Sequence, residues 1–375
     1  MRKKILHIVT RSDWTGVQKV LYNIVSGLKS NYSDQFEVEV AAGKENGMLF
    51  KELEKIGIRY YVLENLVREI NPIKDLKAYF ELKKLIKNGN YDIVHIHSSK
   101  AGVLGRIAAK RCGVKKVIYT YHGFWGIEQY KGFKKKFLIL AERIAAKYSD
   151  YLVFLCNREK QKAEKYKIGK PHQYVIIPNA ILPIENVQKG KLRKELSLPD
   201  NVKIIGNVAR LDPPKNPIRF LEIAKKIINV RSDVVFVWIG ESIVNDFYGK
   251  IVQNYLSKYP ILRERVYFLP FRNDAPDLMT DFDLFLLTSD SEGAPLVILE
   301  ARGNGIPIVS TDVGCVSEMI EEDFVSNDDY CLSKIVLDLL DKNINLESNK
   351  ENYYKEFLVK YVSIYNEFML DRDLS

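Results

Sequence analysis

Glu292 and Glu300 stand on either side of seven residues in SDSEGAPLVILEA, residues 289–301. Such a pair could be an acid and base working on one bond, a ligand clamp, or plain surface charge. A retaining glycoside hydrolase needs its two carboxyl groups about 5–5.5 Å apart. The intervening residues point elsewhere. Pro295 suits the first position of a helix, where its missing N–H would be unpaired anyway, so the spacing predicts a helix beginning near Ala294. Glu292 then precedes the helix and Glu300 lies about five residues inside it, a rise of roughly 7–8 Å. The free N–H groups and positive dipole end of that helix make a phosphate site. The glutamates flank an anion rather than a scissile bond, and alone they read equally as a loop charge and an exposed helical charge.

NVARLDPPKNP supplies the complement. A strand over 203–209 ends in Arg210, and a proline-rich turn presents Lys215. Two cations after a buried strand read as a diphosphate clamp, the planar guanidinium being the more specific. In TYHGFWG a strand ends in His122, which could donate to a sugar hydroxyl or support transition-state charge. His95 and His97 alternate along DIVHIHSS and read as structural residues. In TRSDWTGVQ, Gly16 permits close backbone approach and Thr15 could cap a helix. No G-x-G-x-x-G occurs, which argues against a dinucleotide oxidoreductase. DFD at 281–283 precedes its strand, the wrong end of a sheet for a metal site.

These motifs need strands to carry them. Short β-branched runs alternate with helical patterns along the chain, the mark of parallel α/β layers. Strands are expected near 3–10, 36–42, 58–63, 91–97, 116–121, 150–156 and 174–177, and the rhythm restarts with KIIGNVAR, DVVFVWIG, RVYFLP, DLFLLTS and PIVSTDV. IPNAILPIENVQKGKLRKELSLPDN, rich in proline, asparagine and charge, reads as a linker. The length, 375 residues, suits two domains. The expected parts are Rossmann-like domains over 1–180 and 181–350 and a helix over 351–375. Ligands of such sheets bind outside the carboxyl ends of the strands, which puts the motifs in a central cleft.

No apolar run approaches the roughly 20 residues of a membrane span, and the basic start MRKKILHIVT has too short an apolar stretch for a signal peptide. Four scattered cysteines without C-x-x-C spacing point to reduced thiols in a cytoplasmic protein and away from structural zinc. Net charge is +9, and residues 131–170 alone hold twelve Lys/Arg against four Asp/Glu. That stretch is a patch for an anionic partner or a solvated face. No nucleic-acid-binding motif accompanies it.

Arg210, Lys215, Glu292 and Glu300 together resemble the donor site of the retaining GT-B glycosyltransferases of the glycosyl transferases group 1 family. The E-x7-E spacing is met, GAPLVILEARGNGIPIVSTDVG is similar to the family's usual continuation, and IPNA stands at the expected domain junction. HGFWG further resembles members from bacterial capsule, exopolysaccharide and O-antigen assembly. Two departures stand out: Thr15 replaces the first glycine of a usual Gly-Gly, and GCVSEMI replaces a Gly-Gly-Val-Pro-Glu run.

The resemblance implies a GT-B fold, with a C-terminal helix crossing back onto the first domain, and a metal-independent enzyme without cofactor. Arg210 and Lys215 would neutralise the diphosphate of a nucleotide sugar, expected to be UDP-linked. The backbone from Gly293 through Ala294 and Pro295 to Leu296 would hold phosphate and sugar. Glu292 would contact sugar hydroxyls and Glu300 the ribose. His122 would lie near the anomeric centre and Gly16 beside donor and acceptor. His122, Glu292, Arg210 and Lys215 are thus the catalytic candidates. The expected acceptor is a polyprenyl-diphosphate-linked saccharide, reached from an anionic membrane by the basic region and the lysine-rich helix over 73–87. The competing expectations are a hydrolysing epimerase on the same fold and a non-catalytic nucleotide-sugar or membrane-binding protein.

Overall fold

A computed structural model describes residues 2–45, 47–183, 188–241, 247–342 and 350–366. The chain divides into two compact units, one of Met1–Ile181 with Asn352–Ser375, the other of Leu182–Glu351. The first holds seven strands: β1 (Lys3–Val9), β2 (Phe36–Gly43), β3 (Arg59–Leu63), β4 (Ile93–His97), β5 (Lys116–Thr120), β6 (Tyr151–Phe154) and β7 (Tyr174–Ile176). They form one parallel sheet in the order β3-β2-β1-β4-β5-β6-β7. The second holds β8 (Lys203–Val208), β9 (Val234–Ile239), β10 (Val266–Leu269), β11 (Leu284–Leu287) and β12 (Ile308–Ser310). These pair in parallel in the order β10-β9-β8-β11-β12.

Central strands such as β4, β9 and β11 are buried along their whole length, as strands covered on both faces must be. That is why they read as unbroken apolar runs. In each sheet the strand order reverses beside the first strand, between β1 and β4 and between β8 and β11. Ligands of doubly wound sheets bind at such switch points. The loops after β1, β8 and β11 carry Gly16, Arg210 with Lys215, and Glu292.

The helix Lys350–Asn366 belongs to the first unit, although the second unit separates it in sequence from the rest. Tyr354, Phe357, Leu358, Tyr361, Ile364 and Tyr365 are buried. Tyr354 donates to the Asn23 carbonyl at 2.7 Å. Lys116 donates to the Ile364 carbonyl at 2.7 Å and Lys3 to that of Tyr365 at 3.1 Å. Both cations therefore meet the negative end of the helix dipole. Gly27 lets the helix approach: a Cβ there would collide with Leu358 and Tyr354. The expected linker holds a short helix, Lys191–Glu195, and residues 184–187 of it lie outside the described residues.

Candidate functional site

In the second unit, the loops after β8 and β11 are bonded into one body. Asp290 N–H donates to the Pro214 carbonyl at 2.8 Å and the Ser291 N–H to the same oxygen at 3.3 Å. Asn216, in the left-handed region at φ 47°, caps the helix Pro217–Ile228 through the Arg219 N–H. Its amide also donates to Asp290 at 2.9 Å, and the Arg219 guanidinium pairs with that carboxylate at 3.1 Å. Lys215 Nζ reaches Glu292 Oε1 at 2.6 Å, and Ser289 Oγ donates to the same oxygen at 2.6 Å. The Glu292 side chain is largely buried. Lys215 has three N–H donors, so it can hold Glu292 and a phosphate oxygen together. Arg210, more exposed, pairs with Asp212 at 2.8 Å.

The helix after Glu292 spans Leu296–Gly303, with Pro295 as its extended cap at φ −68°, ψ 120°. The expected start near Ala294 is thus two residues early. Proline's fixed φ suits both the cap and the first turn, and the extended ψ makes it the cap. Glu300 lies on the second turn and is buried. Gly293 is held from the far side: the Cys315 N–H donates to its carbonyl at 2.7 Å. Gly314, at φ +55°, lies so close that a Cβ would strike the carbonyls of Glu292 and Gly293.

In the first unit, Gly16 opens the helix Gly16–Asn31. Among the described residues a Cβ on it would meet nothing within 4 Å, so none of them requires the glycine. Thr15 occupies the cap position but makes no side-chain cap bond, contrary to expectation. Its hydroxyl donates to the Gln18 amide oxygen at 2.8 Å. His122 lies two residues past β5. Gly123 at φ 105° turns the chain after it, and the neighbouring Tyr121 is clamped between Phe124 and Phe154, each ring at 5.1 Å. His122 is half-buried, and burial pushes its pKa down to about 4.

Four of the five histidines cluster at this end of the sheet. His97 Nδ1 lies 3.1 Å from His122 Nε2, and His97 Nε2 lies 3.3 Å from His7 Nδ1. His95 meets the Tyr365 hydroxyl at 2.6 Å and the Thr120 hydroxyl at 2.8 Å. His7, His95 and His97 are fully buried. Burial lowers all three pKa values, that of His7 to about 3, and mutual repulsion adds to it for His95 and His97. Ring nitrogens of the three lie within 4.8 Å of one another, a spacing open to a metal. Yet both nitrogens of His95 and both of His97 already face hydrogen-bond partners.

The acidic DFD has other work. Asp281 accepts from the backbone N–H groups of Gly190, Leu192 and Arg193, capping the helix Lys191–Glu195. Asp283 pairs with Arg193 at 3.0 Å and Lys203 at 3.1 Å. Sequence reasoning missed Ser289, Asp290 and Gly314 around Glu292, and the contact of His97 with His122. A small polar residue directly after a buried strand was the available signal for Ser289.

Residues 14–183 match the Glycosyltransferase Family 4 model and residues 188–356 the Glycosyl transferases group 1 model. An Escherichia coli UDP-Gal:alpha-D-GlcNAc-diphosphoundecaprenol alpha-1,3-galactosyltransferase is 35% identical over 86% of this chain and 82% of its own. A Campylobacter jejuni N,N'-diacetylbacillosaminyl-diphospho-undecaprenol alpha-1,3-N-acetylgalactosaminyltransferase is 25% identical over 71% of each. Anabaena HepE, crystallised with UDP-glucose, superposes with a TM-score of 0.79 at 21% identity, covering 97% of this chain and 98% of its own. Two parallel-sheet units of this order are the GT-B fold, and the chain belongs to the glycosyl transferases group 1 family of glycosyltransferases.

Proposed function

We propose that this glycosyltransferase moves a hexose or N-acetylhexosamine from a UDP-sugar to a polyprenyl-diphosphate-linked saccharide in surface-polysaccharide assembly. The observation that carries the reading is the Lys215–Glu292 pair at 2.6 Å, held by the bonded loops at the switch point of the second sheet. The named transferase at 35% identity supports the donor and acceptor classes. In this reading Arg210 exchanges Asp212 for a donor phosphate, and Lys215 bridges Glu292 to it. The Gly293–Leu296 backbone receives the phosphate and sugar, Glu292 the sugar hydroxyls and Glu300 the ribose. His122 stands at the anomeric centre and Gly16 leaves room for the substrates. The donor phosphate itself takes the acceptor proton, so the sugar is transferred with retention and without metal.

Arg210→Ala, Lys215→Ala and Glu300→Ala should each abolish UDP formation, and unchanged turnover in all three would sink the proposal. The product's anomeric configuration by NMR tests retention, and undiminished activity in chelator tests metal independence. UDP release without a lipid acceptor, matching that with one, would instead indicate a hydrolysing epimerase. Donor binding without any release would indicate a binding protein.

We further place the enzyme against the inner face of the cell membrane. No described helix is long and apolar enough to cross a membrane. The helix Gly132–Ala146 exposes Phe133 (85%), Phe137, Leu140 and Ile144 at helical spacing, beside Lys131, Lys134, Lys135 and Lys136. The helix Pro72–Gly89 exposes Ile73, Leu76 and Phe80 among its lysines. Apolar stripes edged with lysine suit an anionic interface. Phe133→Ser/Phe137→Ser should lose sedimentation with anionic vesicles while keeping turnover on a short-chain soluble acceptor; unaltered sedimentation refutes the placement.

A further inference from the structure

His97 and His7 have no place in the donor or acceptor reading, yet they form an unbroken line of ring nitrogens leading to His122. The contacts are His7 Nδ1 to His97 Nε2 at 3.3 Å and His97 Nδ1 to His122 Nε2 at 3.1 Å. Each neutral imidazole carries one N–H and one lone pair. In a line of neutral rings all N–H groups must therefore point the same way.

The two ends of the line decide the direction. At the inner end, His7 Nε2 is buried and has no hydrogen-bond partner among the described residues. At the outer end, His122 is half-buried, and its Nδ1 has no protein partner among the described residues. If the protons pointed inward, His7 Nε2 would carry a buried N–H with nothing to receive it. A buried donor or acceptor left unpaired costs about 1–3 kcal/mol either way, and of the two the orphaned N–H is the rarer defect. If they point outward, His7 Nε2 is a bare lone pair, and the last N–H emerges at His122 Nδ1. Depressed pKa values keep the rings neutral, as the line requires. Among the described residues no carboxylate pairs with any of these rings; His95 and Tyr365 lie against the line, and Tyr361 and Thr120 lie behind it against His95.

We propose that His7 and His97 are positioning residues that fix His122 as its Nδ1–H tautomer, so that Nδ1 is a standing hydrogen-bond donor and Nε2 never becomes one. This rests on the reading of His122 as a site residue. The tautomer gives the site a donor without positive charge, matched to a sugar or phosphate oxygen. No proton need leave the line during turnover.

Side-chain nitrogen NMR of the full chain, labelled with nitrogen-15 histidine, reads the tautomers directly. Single substitutions assign the five residues. The expected spectrum near neutral pH shows His7, His97 and His122 all protonated at Nδ1 and bare at Nε2. A His122 protonated at Nε2 overturns the proposal. In His97→Leu, His122 should sample both tautomers, and kcat should fall on the order of tenfold to a hundredfold, at or below the loss from deleting a donor outright. Donor KM should stay unchanged. His97→Asn, whose amide N–H can stand in for Nδ1–H, should restore most of the rate. Unchanged kcat in His97→Leu, or equal losses in the Leu and Asn variants, overturns the positioning role. An active His122→Ala would refute the site reading and the line's part in turnover, whereas the spectrum judges the tautomer by itself.

Discussion

Mild acid should loosen one unit of this enzyme and spare the other. His7, His95 and His97 are fully buried and hold depressed pKa values, for which desolvation is the main cause. In the unfolded chain each returns to an ordinary value near 6.5 and takes up a proton that the folded form refuses. The folded values lie below the unfolded ones. Their stabilisation is therefore complete above pH 6.5 and is lost as pH falls toward the folded values, about 3 for His7. At pH 5.5 each ring held neutral costs the folded state roughly 1.4 kcal/mol, so the three fully buried rings alone cost about 4 kcal/mol, and the half-buried His122 adds to it. That is on the order of a thousandfold in the opening equilibrium.

The second unit is the internal control, because all five histidines lie in the first. Its depressed carboxylates, Glu222, Asp233, Asp274 and Asp328, are held down by hydrogen bonds, those of Asp233 and Asp274 mainly from Arg231 and Arg272, and all titrate below the window. Hydrogen exchange by mass spectrometry, corrected for the intrinsic effect of pH, should show the loss in peptides from β1 and β4 between pH 7.5 and 5.5. Peptides from β8 and β9 should change by less than about tenfold. His7→Phe should shrink the first loss by about tenfold. Equal losses in both units, or none in β1 and β4, would refute the reasoning.

Other outcomes follow from single contacts. Gly314→Ala puts a Cβ against the Glu292 and Gly293 carbonyls at φ +55°, a strain of order 1–3 kcal/mol; donor KM should rise about tenfold or more in steady-state assays. Gly27→Val collides with Leu358 and Tyr354, and overpacking of about 1–3 kcal/mol should make the helix Lys350–Asn366 newly sensitive to limited proteolysis. Glu142→Gln strands the fully buried Arg106 guanidinium, now paired at 2.6 Å. A loss of about 3–5 kcal/mol should appear as faster exchange in the helices Ser99–Arg111 and Gly132–Ala146, and pairing it with Arg106→Met should recover part of it.

The strands were legible because both faces of these sheets are covered, which leaves β-branched runs in the sequence. Arg210, Lys215 and Glu292 were legible together because all follow strands of one sheet. The cap at Pro295 was misplaced because proline's φ satisfies two neighbouring positions and only ψ separates them. Thr15 was misjudged because a local side chain, Gln18, outcompeted the backbone for its hydroxyl. The contact of His97 with His122 was hidden for a deeper reason. Alternation shows that His95 and His97 share a face, but their partners come from the pairing of β4 with β5, where His97 stands opposite Thr120. His122 is two residues farther along, within ring reach, and no pattern inside DIVHIHSS encodes that.

The helix Lys350–Asn366 also sets an order of events at the ribosome. Tyr361 and Tyr365 roof the histidine cluster, but they are translated only after the whole second unit. A nascent first unit must wait with its imidazoles wet and chargeable while some 170 residues pass, whereas the second unit is contiguous and can close as it emerges. The unit whose strands are made first is therefore the one finished last.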